Sequence, residues 1–309
     1  MVPLIYSPRY NITAFGLERL HPFDSRKYGR IHDWLIRQGL RNPADFIKPN
    51  PPVTRTDLNR VHSEPYLKSL RDRHVLARIL EVAPVAYLPS LLTDWRVLGP
   101  MRCATGGTVL ACRLALQHGV AVNLAGGYHH AGPNKGGGFC AYADGPLALA
   151  LLKDENKISS ALVVDTDAHQ GNGTADSIRS WSWAHILDFF EEDIFPWPKV
   201  EEDIAVPLPA GTCGAEYLMR LSDELPKALE RLRPDFVLYN AGSDVLRTDP
   251  LTRLMLTPEE MAERDLYVVT ETRGHGIPLA MILSGGYGPL SWEAHARSIE
   301  GILSRFDKP

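Results

Sequence analysis

Four short apolar runs in this chain each end in a polar, glycine-bearing cluster, and that recurrence constrains the fold more than any other feature. Residues 120–124 run into Gly126-Gly127-Tyr128-His129-His130, and residues 161–164 into Asp165-Thr166-Asp167-Ala168-His169-Gln170-Gly171-Asn172-Gly173. Residues 236–239 lead to Asn240-Ala241-Gly242-Ser243-Asp244, and residues 279–283 to Ser284-Gly285-Gly286-Tyr287-Gly288. Short β-branched apolar runs read as strands buried on both faces, as in parallel sheets. In open α/β sheets, ligands bind beyond the carboxyl ends of the strands. Four such clusters therefore point to one site on one sheet edge. Two further runs, 4–6 and 185–189, bring the expected strands to six.

Segments with helical character separate most of these runs. Residues 102–118 carry Val109, Leu110, Leu114 and Leu116 among small residues, and an apolar helix is expected from Asp144 through Leu152. Thr257-Pro258-Glu259-Glu260 combines an N-cap, a proline at N1 and a glutamate at N3, so a helix begins there. Alternating strands and helices predict an α/β fold, a mostly parallel sheet with helices on both faces. The 309 residues, 44% of them hydrophobic, suffice for one large core, so a single domain over 1–309 is expected. Residues 43–52 and 189–198, rich in proline or in proline and tryptophan, read as surface loops.

Composition narrows the function. A net charge of -4 without a long Lys/Arg run gives no basic footprint for nucleic acid. No apolar stretch approaches the roughly 20 residues of a membrane span, and Met1–Ser7 turns polar too soon for a signal peptide. Cys103, Cys112, Cys140 and Cys213 show no C-x-x-C spacing, which fits reduced thiols in a cytoplasmic protein.

The aspartate cluster carries the chemistry. In an extended segment alternate residues share a face, so Asp165, Asp167 and His169 point the same way. Buried carboxylates are costly unless they pair or bind a metal. Asp167 and His169 are thus candidate ligands, with Asp244 the best third. Two carboxylates and an imidazole suit zinc, with Fe(II) or Co(II) as alternatives, and three protein ligands leave a position for water. The adjacent His129 and His130 offer acid and base groups, and Tyr287 an O–H for a developing oxyanion. Asp165 would orient an imidazole or hold a second cation.

With these residues in place, the chain resembles the zinc-dependent histone deacetylases. The blocks that carry the resemblance are 126–130, Gly-Gly-Gly-Phe-Cys-Ala-Tyr-Ala-Asp (136–144), 165–173, Tyr-Asn-Ala-Gly-Ser-Asp (239–244) and Ser-Gly-Gly-Tyr (284–287). Ser-Pro-Arg-Tyr-Asn-Ile-Thr (7–13) and His-Pro-Phe-Asp (21–24) are similar to the class IV branch. The resemblance implies an arginase/deacetylase fold with a central, mostly parallel eight-stranded sheet and a narrow tunnel for an acylated amine. It implies zinc on Asp167, His169 and Asp244, with His130 the principal general base and acid. His129, paired with Asp165, would supply electrostatic support, and Tyr287 would hydrogen-bond the acyl oxygen. Gly138 and Phe139 would line the tunnel, with Phe195 opposite. A structural potassium ion would sit on Asp165, Asp167, His169, Asp188 and Phe189. Asn172 stands where other classes generally have an aspartate partnering the second histidine, which removes a charge that would raise the imidazole pKa.

The expected reaction is removal of acetyl or longer acyl groups from lysine side chains of a peptide or protein. Small acylated amines such as acetylpolyamines are the alternative substrate class. A non-enzymatic acyl-lysine reader would be expected to lack a ligand, the histidine pair or Tyr287, and none is missing. A binuclear ureohydrolase is discounted, because Asn172 occupies a position that should be acidic and Val245-Leu246 follow Asp244. Plainer roles suit other residues. His62 is expected to be structural, His21 to shape the tunnel entrance, and Cys140 to act as a small hydrophobe rather than a nucleophile.

Overall fold

A computed structural model describes residues 1–13 and 16–307. Eight strands form one sheet: β1 (Leu4–Ile5), β2 (Phe46–Ile47), β3 (Val120–Asn123), β4 (Ala161–Asp165), β5 (Ala184–Glu191), β6 (Ile204–Leu208), β7 (Val237–Asn240) and β8 (Leu279–Ile282). Their order is β2-β1-β3-β8-β7-β4-β5-β6, and every pairing is parallel. The principal helices are α1 (Lys27–Arg37), α2 (Gly99–His118), α3 (Asp144–Asp154), α4 (Asn172–Ile178), α5 (Gly214–Leu232), α6 (Pro258–Gly274) and α7 (Ser291–Phe306). They cover both faces of the sheet, which explains why β3, β4, β7 and β8 are buried throughout. This is the doubly covered α/β architecture expected from the alternating pattern. The capping box at Thr257 forms as read, with Thr257 Oγ1 accepting from Glu260 N and Glu260 answering Thr257 N.

Two strands were not among the six expected, and both lie at sheet edges. β2 is two residues long inside the proline-rich stretch 43–52, too short to show a period. β6, Ile-Ala-Val-Pro-Leu, is half exposed and carries Pro207, a residue tolerated at an edge because its missing N–H need not pair. The stretch 189–198 is also not wholly a loop. β5 extends through the buried Phe189, Phe190 and Glu191, where Glu191 is held by Arg253.

The sheet places the site. β3, β8, β7 and β4 are neighbours in the order given, and these four strands are the ones that end in polar clusters. Their last residues are in register: Asn123 opposite Ile282, Ile282 opposite Asn240, Asn240 opposite Asp165. Four loops separated by up to about 160 residues in sequence therefore emerge side by side.

Candidate active site

Asp167, His169 and Asp244 each offer one ligand atom, and these atoms lie within 4.8 Å of one another. His169 Nδ1 is 2.8 Å from Asp244 Oδ2 and 3.3 Å from Asp167 Oδ1. The spacings are close to the ~3.4 Å between tetrahedral ligands on bonds of about 2.0–2.2 Å. All three residues are buried. The remaining carboxylate oxygens are fixed by donors: Asp167 Oδ2 accepts from Ser284 Oγ and Gly285 N at 2.9 Å each, and Asp244 Oδ1 from Ala168 N at 2.8 Å. Ligands aimed in this way are the outer support a metal site requires.

The electrostatics of the bare cluster agree with that donor set. Burial opposes charge on His169, but its bonds to Asp167 and Asp244 push the imidazole up to about 10. Burial and the Asp167 charge push Asp244 up to about 7, whereas Asp167, despite burial, is held well below the usual carboxylate range by His129 and His169. Two buried carboxylates facing one imidazole form a donor set that would bind a divalent cation with release of protons. The residues fit a divalent metal ion.

The two adjacent histidines diverge in partner. His129 Nδ1 lies 2.9 Å from Asp165 Oδ2, and its Nε2 3.6 Å from Asp167 Oδ1. Burial works against its charge, yet Asp165 and Asp167 push it up to about 9. His130 Nδ1 lies 2.8 Å from Asn172 Oδ1. Burial, reinforced by the charges of His129 and His169, holds it well below 6.5. With an amide oxygen as partner, Nδ1 carries the proton and Nε2 is left as a base. One fold thus holds one imidazole charged and its neighbour neutral, which is the division expected of an electrostatic group beside an acid/base group.

The residues expected to line a tunnel lie around these histidines. A narrow cavity of about 20 Å³, room for roughly one water, is lined by His129, His130, Gly138, Phe139, Tyr287 and their neighbours. A Cβ on Gly138 would lie 2.4 Å from His130 Cδ2, and its φ of +50° is left-handed, so glycine is required there. Phe139, at φ +63°, is braced by a bond from its N–H to Ile79 O and by stacking on His21 at 4.7 Å. Tyr287 is seated by Asp249, whose Oδ2 accepts from Tyr287 N at 2.7 Å. Burial and the Asp167 and Asp244 charges raise its phenol, which is therefore an O–H donor at neutral pH. Phe195 packs edge-on against His130 at 4.9 Å but is 44% exposed and does not line the narrow cavity. Asp188 is fully buried, its Oδ2 accepts from Gly171 N, and burial together with the Glu202 carboxyl beside it pushes its own carboxyl up.

Plainer assignments also find their places. His62 pins Gly132 O and Ala143 N, and burial lowers it to about 4. Burial raises the Cys140 thiol well out of a nucleophile's range. Sequence reasoning gave no role to Lys27, which is fully buried and donates from Nζ to Ser284 O at 2.6 Å and Gly285 O at 2.9 Å, clamping the Tyr287 loop. It also missed Asn240, which donates to Asp165 Oδ1 at 2.8 Å. Asn240 had a local signal in the cluster after β7; Lys27 had none.

Comparison with known proteins agrees with this geometry. The family model described as the histone deacetylase domain matches residues 21–303. Histone deacetylase 2 of Arabidopsis thaliana is 40% identical over 304 residues, 97% of this chain and 78% of that protein. Among solved structures, the HDA15 HD domain superposes with a TM-score of 0.78 at 19% identity, covering 100% of this chain and 91% of that one. The acetylpolyamine aminohydrolase from Burkholderia pseudomallei gives 0.77 at 19% identity, covering 98% and 99%. These structural neighbours show an arginase/deacetylase fold. The chain belongs to the histone deacetylase family, a family of amide hydrolases.

Proposed function

We propose that the chain is one catalytic unit, a metal-dependent lysine deacylase of the class IV branch that removes acetyl or longer acyl groups. The observation that carries the reading is the convergence of Asp167, His169 and Asp244 beside His129, whose imidazole is pushed up, and His130, whose imidazole is held down, with both histidines on a small cavity lined by Phe139 and Tyr287. The class IV assignment rests on the 7–13 and 21–24 blocks and on Asn172. The chemistry that zinc, or Fe(II) or Co(II), supplies when bound is polarisation of the acyl carbonyl and acidification of a water. His130 Nε2 would accept a proton from the attacking water as its oxygen bonds the acyl carbon, and return it to the amine nitrogen as the C–N bond breaks. His129, held by Asp165, supplies positive potential, and Tyr287 donates its O–H to the acyl oxygen as negative charge develops. Potassium is assigned to Asp165, Asp167, His169, Asp188 and Phe189 on the resemblance, where the buried Asp165 and Asp188 stand in register on β4 and β5. Four free cysteines fit a cytoplasmic setting, and no described helix is long and apolar enough to cross a membrane.

Tyr287→Phe tests the oxyanion role. Turnover of an acyl-lysine peptide is expected to fall by about 10²–10³-fold, the usual loss for one oxyanion donor, with metal content measured by mass spectrometry unchanged. A fully active variant would overturn that role. Asn172→Asp tests the base. A carboxylate beside Nδ1 favours the protonated ring, and His130 must be neutral to accept a proton. The acidic limb of kcat/KM against pH is therefore expected to move to higher pH than in the wild type; a limb that stays in place or moves down removes His130 from that step.

One observation favours small cationic amines as a second substrate class. Glu81 stands 3.9 Å from His21 Nε2, its side chain is 56% exposed, and His21 stacks on Phe139. An exposed carboxylate this close to the cavity-lining Phe139 would attract the second amine of a bound diamine. Glu81→Gln is expected to raise KM for N-acetylputrescine severalfold while sparing a peptide with neutral flanks. Equal effects on both substrates would remove the discrimination.

A further inference from the structure

Arg264 and Asp265 on α6 form an ion pair in which both side chains are fully buried. The guanidinium does not end at Asp265. Its Nη1 donates to Thr166 O at 3.0 Å and its Nη2 to Gly242 O at 2.8 Å, while Nε donates to Asp265 Oδ1 at 2.9 Å. Thr166 directly precedes Asp167, and Gly242 lies two residues before Asp244. Asp265 in turn accepts from Tyr239 OH, and that phenol accepts from Thr166 Oγ1 at 3.1 Å. The two loops are in contact at this point, since a Cβ on Gly242 would lie 2.5 Å from Asp167 Cα.

We propose that Arg264 is a positioning residue that fixes the separation of the loops presenting Asp167 and Asp244, and thereby sets the affinity of the site for its cation. The proposal rests on the metal-site reading above. A planar guanidinium is a rigid, two-pronged spacer, and a flexible ammonium is not. Stability is a weak explanation for the pair, because buried ion pairs are often replaceable by apolar residues without loss. Both carbonyls it holds belong to ligand-bearing loops. Partners that orient metal ligands from outside typically contribute about 10–100-fold in affinity.

The test is a competition titration of Zn²⁺ and of Co²⁺ against a chelating indicator, with kcat and KM measured in parallel. Arg264→Lys retains the charge opposite Asp265 but loses the fork. It is expected to weaken metal binding about tenfold or more and to lower kcat at subsaturating metal, with KM little changed. Val268→Ala, a buried cut on the same helix, is expected to lower Tm and leave metal affinity within twofold. Tyr239→Phe removes the phenol bridge without altering charge and is expected to weaken binding a few-fold, which keeps the proposal testable should Arg264→Lys not fold. Unchanged affinity in Arg264→Lys or Tyr239→Phe, or an equal loss in Val268→Ala, overturns it. Asp167→Ala separates the two readings: if it abolishes the titrated site and Arg264→Lys does not weaken it, the Arg264 proposal alone fails. If the titration is indifferent to Asp167→Ala, the metal-site reading fails with it.

Discussion

Asp167→Ala is expected to abolish both metal binding and amide hydrolysis. Three protein atoms converge on the site, and the carboxylate of Asp167 faces His169 through Oδ1 while Oδ2 is anchored by Ser284 and Gly285. Removing it leaves two ligands and orphans two donors that exist to aim it. Loss of an outer partner alone costs about 10–100-fold in affinity, so loss of a ligand should exceed that range. Activity should fall by at least ~10³-fold when polarisation and the activated water go with the cation. Asp167→Asn controls for folding, because it keeps a side-chain oxygen for Ser284 and Gly285 without the charge. Retained hydrolysis in a variant shown to be metal-free would refute the mechanism.

His130→Ala is expected to produce the second-largest loss, about 10²–10⁴-fold in kcat, the usual range for a positioned acid/base. Its signature differs from that of Asp167→Ala. Metal content should remain at the wild-type level, because Asp167, His169 and Asp244 keep their partners. The pH profile should lose its acidic limb. In the wild type, burial together with the His129 and His169 charges places the His130 pKa below 6.5, so the neutral base is present at pH 7 and is lost as pH falls through that pKa. Stopped-time assays of one peptide across pH 5–9 read both effects. A limb that survives in His130→Ala would assign the titration to another group.

The position of the candidate site was legible in the sequence because parallel strands advertise it. Strands buried on both faces read as continuous apolar runs, so the polar residues at their carboxyl ends stand out sharply. Asp167 and His169, two apart beyond β4, and Asp244 beyond β7 could be grouped from the sequence alone, and the sheet order places those strands side by side. The edges were not legible, for the opposite reason. β2 has two residues and β6 alternates with a proline, so neither buries enough on both faces to leave a run. Residues that steady the site from other elements were also silent. Lys27 reaches a loop 257 residues away, Asp249 holds the backbone of Tyr287, and Arg264 sits mid-helix in an ordinary charged stretch. Their meaning is tertiary. Phe195 shows the intermediate case, a tunnel residue by resemblance that packs on His130 from a largely exposed position.

The central claim is metal-dependent removal of an acyl group from lysine by this constellation. The most direct measurement is hydrolysis of one peptide bearing acetyl-, octanoyl- or myristoyl-lysine, with N-acetylputrescine alongside, with and without a chelator and with Asp167→Ala as the blank. Chelator-sensitive cleavage of a peptide, restored by added Zn²⁺ or Co²⁺ and absent in Asp167→Ala, is the predicted result. No cleavage of any of the four by metal-loaded protein, or cleavage that survives both the chelator and Asp167→Ala, would contradict it.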